Sequence, residues 1–289
     1  MLTAIRISDN KKVVGEFIEK DENESYKCEI CTNPVIHHRP NERIKVGHFK
    51  HKSNQLQCPN HDGMSIEHLT AQFQIYEYIK NNWGNRINSI ELEKWLFNNT
   101  IRADIYLETR KNKIAIEVQA STLDIKDINR RTSQYFQNNV YVLWTLIYDY
   151  SRFYEFKHEY GHKDDGSWGI IHSGDNRVDK IRLKEFELFL YYAHYKKLIF
   201  WDIEQERNKY FIVMELADYW TDSVEFKQDG VEHSYDAKKT KVMKSILSTW
   251  REVTFDEFKV RTGKIFQGKN YDVPQRTILD FDTRVKRKL

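Results

Sequence analysis

Apolar residues recur at three- and four-residue spacing from Ile66 through Leu69, Phe73 and Tyr76 to Ile79. That spacing predicts a helix with one apolar face, and Ser65 stands where an N-cap belongs. The run Asn81 to Gly84 closes it. The period then changes to two: residues 86–97 and 101–107 read as strands, Glu108 to Lys113 as a turn, and 114–120 as a third strand. Helical spacing returns over Asp124 to Asn139, with Ile125, Ile128, Tyr135 and Phe136 on one side, and Val140 to Ile147 is an apolar strand. The closing strand–helix–strand crossover requires one parallel pairing, so an α/β core is expected.

Before this core, Ala4 to Ile7 and Val13 to Ile18 read as short strands that run into the acidic turn Asp21 to Glu24. After Tyr150 the periodicity weakens to a helix at 183–197, strands near 198–203 and 209–216, and a helix near 238–250. The expected division is an N-terminal module at 1–63, the α/β core at 64–148, and an α+β C-terminal region at 149–289.

Composition narrows the class without naming a substrate. With 289 residues, 40% hydrophobic and 31% charged, the chain can bury a substantial core, and only 4 prolines argue against long disordered linkers. A net charge of +3 does not identify a nucleic-acid partner. Two basic clusters could attract phosphate: Arg39, Arg43, Lys45, Lys50 and Lys52, and the tail Arg284, Lys286, Arg287 and Lys288. A solvated basic face is the commoner origin of such clusters. The start MLTAIRISDNKKVVGEF has no apolar segment of signal-peptide length, and no apolar run reaches membrane-spanning length. A cytoplasmic setting is expected, because 3 cysteines without a secretion signal do not make a disulfide framework.

Those cysteines carry the first chemistry. Cys28-x2-Cys31 is followed by His48-x2-His51 and Cys58-x2-His61, so every cysteine of the chain lies beside three of its 11 histidines. A Cys-x2-Cys turn places two sulfurs on one tetrahedral zinc ion. Cys28 and Cys31 are the firmest ligands; His51 and Cys58 are the expected second pair, with His48 as the alternate. A closed four-ligand shell leaves no position for substrate, so this zinc would be structural.

The second chemistry is a pair of acids on a predicted hairpin. Ile101, Ala103, Ile105 and Leu107 alternate with Arg102, Asp104 and Tyr106, and Ile114, Ile116 and Val118 alternate with Glu117 and Gln119. Any register that pairs the apolar faces sets Asp104, Glu117 and Gln119 on one face. With Leu107 opposite Ile114, Asp104 faces Glu117 at a Cβ separation of about 5 Å, where two carboxylates repel unless a cation lies between them. A hydrated Mg²⁺ or Mn²⁺ satisfies that geometry; a polar face in which Arg102 neutralises the acids is the competing account.

The run Arg102-Ala-Asp104 through Ile116-Glu117-Val-Gln119-Ala-Ser121 resembles the core of the PD-(D/E)XK (restriction-endonuclease-like) nuclease superfamily. More narrowly, the chain resembles the competence protein CoiA family through an ordered set of motifs across residues 25–147. The set comprises Cys28-x2-Cys31, Gly47-His-Phe-Lys-His51, Ser65-Ile-Glu67-His68, Arg131-x3-Tyr135 and Val142-Leu-Trp144. The resemblance implies that Asp104 and Glu117 bind the catalytic metal, with Glu67 as the helix acid and Gln119 in the place usually held by Lys. A basic residue often found a turn after the helix acid is replaced here by Gln72.

The function implied is metal-dependent hydrolysis of DNA phosphodiester bonds, in the processing of incoming or recombining DNA. Gln119 would orient water and Arg131 would contact phosphate, while His68 reads as a helix-surface residue. The reading from a different class is a non-catalytic zinc-containing nucleic-acid-binding protein.

Overall fold

The computed structural model describes residues 1–19, 21, 23–39, 46–52, 58, 64–162, 168–177, 180–204, 210–218, 220–221, 223–228, 230–236, 238–239, 244–267 and 272–281. Arg43, Lys45, His61 and the basic tail Arg284 to Lys288 lie outside them. The fold is mixed α/β and mostly sheet. No described helix is long and apolar enough to cross a membrane.

Five short strands form an N-terminal sheet: β1 (Thr3–Arg6), β2 (Lys12–Val14), β3 (Tyr26–Lys27), β4 (Pro34–His38) and β5 (His48–His51), in the order β2-β1-β3-β4-β5. The second predicted strand ends at Val14, where Gly15–Phe17 turns as a short 3-10 helix. Gly15 and Gly47 explain that turn. A Cβ on Gly15 would stand 2.8 Å from the Gly47 carbonyl oxygen, and one on Gly47 would stand 2.7 Å from the Gly15 carbonyl oxygen. Only glycine at both positions lets the two backbones approach so closely. The module's core is small: Met1, Ala4, Tyr26, Cys28, Val35, Phe49 and Cys58.

The predicted core follows closely: α1 (Ile66–Trp83), β6 (Ile87–Leu96), β7 (Ile101–Thr109), β8 (Lys113–Gln119), α2 (Ile125–Gln137) and β9 (Val140–Ile147). Ser65 does cap α1, its side chain accepting from the His68 backbone N–H. β6, β7 and β8 are an antiparallel meander, and β8 pairs parallel with β9 after the α2 crossover. Beyond β9 lie a hairpin of β10 (Tyr154–His162) and β11 (Trp168–Arg177), then β12 (Lys180–Arg182), α3 (Glu185–Ala193), β13 (Lys197–Trp201) and β14 (Phe211–Asp218).

The main sheet does not stop at residue 148. β13 and the strand Arg276–Phe281 both pair parallel with β9, and the full order is β12, Lys244–Val253, β14, β13, β9, β8, β7, β6. Phe258–Gly263 pairs with Arg276–Phe281 and completes ten strands. The helix expected near 238–250 is instead the strand Lys244–Val253, held between β12 and β14. Ile246, Leu247, Thr249, Trp250 and Val253 suit a strand, and pairing on both edges decides a segment with no strong helical period.

Both faces of this sheet are covered. Leu69, Ala71, Ile75 and Ile79 of α1 pack on Ile105, Leu107, Ile114, Ile116, Val118 and Leu143. Ile128 and Tyr135 of α2, with Phe186, Phe189 and Leu190 of α3, pack against Tyr106, Ala115, Val142 and Trp144. The supposed polar side of the hairpin is therefore a second interior, where Asp104 and Glu117 are 6% and 2% exposed.

Candidate functional site

Two clusters of chemistry-bearing side chains emerge. In the N-terminal sheet, the ligand atoms of Cys28, Cys31, His51 and Cys58 all lie within 4.8 Å of one another. Cys28 follows directly on β3, Cys31 sits in the turn before β4, and His51 ends β5, so three points of one small sheet converge. The Cys28 and Cys58 sulfurs are 3.7 Å apart, and Cys31 Sγ is 3.3 Å from His51 Nε2. A tetrahedral ion with Zn–S bonds of about 2.3 Å requires S···S edges of about 3.8 Å, far longer than a disulfide bond. The donor set fits zinc. His48, the alternate ligand, turns away: its Nδ1 contacts the Val46 carbonyl oxygen at 2.9 Å. Among the described residues this is the one group of three or more such side chains placed to share an ion.

The acid pair stands in the main sheet. The β7–β8 register pairs Leu107 with Ile114 and Ile105 with Ile116, and one further step sets Asp104 across from Glu117. The ladder ends there. Asp104 Oδ2 accepts the Val118 backbone N–H at 2.8 Å, so its carboxylate lies in the mouth between the two strands. From that position both helices can reach it. His68 Nε2 of α1 is 3.4 Å from Asp104 Oδ1, and Gln72 Nε2 donates to the Asp104 carbonyl oxygen at 2.6 Å.

Glu117 is met from the other side. Arg131 and Tyr135 stand one turn apart on α2; the guanidinium pairs with Glu117 Oε2, and the Tyr135 hydroxyl donates to Oε1. Arg131 also donates to the Arg102 carbonyl oxygen at 2.9 Å and lies 5.9 Å from the centre of the Trp144 ring. The cation that answers the paired acids is thus Arg131, not Arg102, and the side chain expected on phosphate is engaged with Glu117.

The two carboxyls are driven apart electrostatically. Burial pushes Asp104 up, but His68, Arg131 and the Val118 N–H outweigh it and hold the carboxyl below the usual range. Burial also pushes Glu117 up, and there it prevails: the Asp104 charge adds to it, and Arg131 and Tyr135 only partly offset it. Asp104 therefore ionises ahead of Glu117. Beside Glu117, the Tyr135 hydroxyl is raised well above its ordinary range, by burial first.

The remaining expected residues sit less centrally. Gln119, at the end of β8, is half-buried and donates from Nε2 to the Ser121 carbonyl oxygen at 3.2 Å. Glu67 is exposed, and it is the neighbouring His68 that α1 turns toward Asp104. His68, Gln72 and Tyr135 complete the site, though sequence reading gave them no role in it. The signal for them was helical phase: His68 and Gln72 are four apart on α1, and Arg131 and Tyr135 are four apart on α2. A cavity of about 940 Å³ between α1 and residues 252–257 does not include the acid pair.

Residues 65–200 match the family model described as competence protein CoiA, nuclease-like domain. No curated protein and no solved structure matches the chain. The matched segment spans α1 through β13 and holds Asp104, Glu117, His68, Arg131 and Tyr135. Over that segment, a little under half of its length, the chain is similar to the nuclease-like domain of the CoiA family.

Proposed function

We propose that the chain is a Mg²⁺- or Mn²⁺-dependent nuclease of PD-(D/E)XK type that hydrolyses DNA phosphodiester bonds, in the processing of incoming or recombining DNA. The observation that carries this reading is the buried pair Asp104 and Glu117 on adjacent strands inside a nuclease-like domain. Their four oxygens are a hard donor set suited to Mg²⁺ or Mn²⁺. Such an ion supplies a lowered pKa for bound water and offsets charge on the scissile phosphate.

The chain's own residues do the rest. His68 and the Val118 N–H keep Asp104 ionised, and Tyr135 and Arg131 fix the orientation of Glu117. Gln119, two residues along from Glu117, offers an amide to orient the attacking water. Arg131 competes with any metal for Glu117, so a phosphate drawing Arg131 away would free that carboxylate as substrate arrives. Zinc held by Cys28, Cys31, His51 and Cys58 is structural in this reading.

The engagement of Glu117 by Arg131 favours one rival, a zinc-containing protein that binds nucleic acid without cutting it. Purified chain incubated with Mg²⁺ or Mn²⁺ and single-stranded, duplex or branched DNA separates the two. Cleavage that is lost in Asp104→Asn is the expected result. No metal-dependent cleavage of any of these substrates by the parent would leave the binding reading in its place.

A further inference from the structure

A second cavity, of about 630 Å³, opens in the C-terminal region between the end of α3 and the strands Phe258–Gly263 and Arg276–Phe281. Tyr192, Tyr195, Lys196, Arg261, Lys264 and Phe266 line it, over a floor made by Arg276. Tyr192 and Phe266 stack with centroids 4.6 Å apart and planes 17° from parallel. The Arg261 guanidinium lies 3.6 Å above the Tyr195 ring. None of the described lining residues is acidic.

This is an unusual surface to leave open. Ile265 and Phe266 are 65% and 37% exposed, so the stacked pair is not sealed into the core. Arg276 is committed to structure: it donates to the carbonyl oxygens of Ala193, Lys264, Pro274 and Tyr192. Gly263 leaves it room, since a Cβ there would stand 2.8 Å from its guanidinium carbon. Arg261 is partly answered by Asp280 at 2.8 Å. Lys196 and Lys264 are exposed at the rim, and neither is ion-paired with a described residue. Tyr195 and Lys196 both hold left-handed backbone (φ 53 and 64), a conformation that costs a non-glycine residue and turns the lip of the cavity.

From flat π faces, rim ammonium groups and no lining carboxylate, we propose that this cavity binds a nucleotide. The base would lie on the Tyr192–Phe266 stack and the phosphate between Lys196 and Lys264. Rings alone would suit any apolar ligand and ammonium groups alone any anion; a nucleotide is the chemistry that uses both. The volume suits a ligand of that size.

The site is separate from the acid pair. Ile278 is level with Val142 on β9, which sets Arg276 near Val140, whereas Glu117 is level with Trp144, four residues farther along that strand. At about 3.3 Å per residue that offset is about 13 Å along β9, from its first residue to its middle. The inference does not require that the acid pair cut DNA.

The test uses the full chain with zinc retained and no added Mg²⁺, so that binding is read without cleavage. Two probes distinguish the nucleotide's source: free thymidine monophosphate, and a fluorescent oligo(dT) of about ten nucleotides, within the site sizes of single-strand binders. Phe266→Ala should weaken binding about fivefold, and Lys196→Glu with Lys264→Glu about tenfold or more, at an unchanged thermal midpoint. For oligo(dT), the double variant should also flatten the salt dependence by a slope of about 1.4, the value for two lost contacts to a single strand. Binding of the monophosphate at this site identifies a free nucleotide as ligand; binding of oligo(dT) alone identifies a nucleotide within a strand. If the parent binds neither probe, or if Phe266→Ala and the double charge reversal bind as the parent does, the proposal is overturned. A failed cleavage assay with intact, Phe266-dependent binding would reject the nuclease reading and leave this one standing.

Discussion

At Glu117 two effects of opposite sign meet in one buried carboxyl. Burial and the Asp104 charge favour the neutral acid, while the Arg131 guanidinium favours the anion. From the sequence alone, paired acids on one hairpin face imply uncompensated repulsion, and neutralising either of them should relieve it. The structure assigns the two substitutions different costs. In Asp104→Asn an amide oxygen can still accept the Val118 N–H, but the charge that His68 and Arg131 face is lost, so the change should cost a modest part of the stability. In Glu117→Gln the Arg131 guanidinium loses its direct partner while remaining largely inside, with 21% of its side chain exposed. Breaking such a pair from one side should cost about 2–4 kcal/mol. Urea denaturation in Mg²⁺-free, zinc-replete buffer reads the difference. Adding Arg131→Met to Glu117→Gln should recover most of the loss without restoring any cleavage. A Glu117→Gln protein as stable as the parent would mean that Arg131 finds its compensation elsewhere.

At the scale of elements, the legible part of the chain was the part with a clean period. α1, β6 to β9 and α2 all stand within two residues of where hydrophobic spacing puts them, because each has one face whose burial demands that spacing. The pairing of Leu107 with Ile114 followed for the same reason, since a one-residue slip would separate the apolar residues that share the α1 core; the single apolar face did not, because Ile101 and Ala103 pack in the opposite core. Lys244–Val253 was misread because its conformation is set by β12 and β14 on either side, and nothing in its own pattern announces them. His68 and Tyr135 were hidden by another limit. Periodicity says which face of a helix is buried, but not that Asp104 would sit at the opening of a strand pair within reach of two helices.

The cluster of Cys28, Cys31, His51 and Cys58 was legible because its spacing is that of a site that could hold zinc, and the module's small core makes a further prediction. Seven residues contribute its interior, two of them the cysteines Cys28 and Cys58, so the sheet has little apolar burial to hold it without the ion. The purified, reduced chain should carry about one Zn²⁺. Cys28→Ser should release that ion and open residues 1–63 to proteolysis, while the domain at 65–200 stays protected. Metal analysis that finds no zinc, or a Cys28→Ser protein as resistant as the parent, would remove the structural role.

Over the whole molecule, the feature that binds distant parts together is the continuous sheet. β9 belongs to the nuclease-like domain, yet its far edge is filled by β13 and by Arg276–Phe281, which come from either end of the C-terminal region. His194 sits in that junction at the end of α3, fully buried, with the charges of Asp280, Arg276 and Lys197 around it. Burial first, then Arg276 and Lys197, lower its pKa from 6.5 to about 4, against the opposing pull of Asp280. Between those two values the unfolded chain binds a proton that the folded chain refuses, so stability must fall as pH drops through that window. The full contribution, from pH 7 down to 4, is about 3 kcal/mol at 1.36 kcal/mol per pH unit.

Acidification also titrates carboxylates, so the informative quantity is the difference between the parent and His194→Leu, which has no proton to gain. The parent should lose about 3 kcal/mol relative to the variant across that range. Because the sheet is shared, the loss should appear at once in Trp144 and Trp201, buried in the two opposite cores of that sheet. Parallel pH–stability curves for the two proteins would show that the folded chain admits a proton at His194 after all. A transition seen by Trp201 fluorescence and not by Trp144 would show that the sheet does not unfold as one.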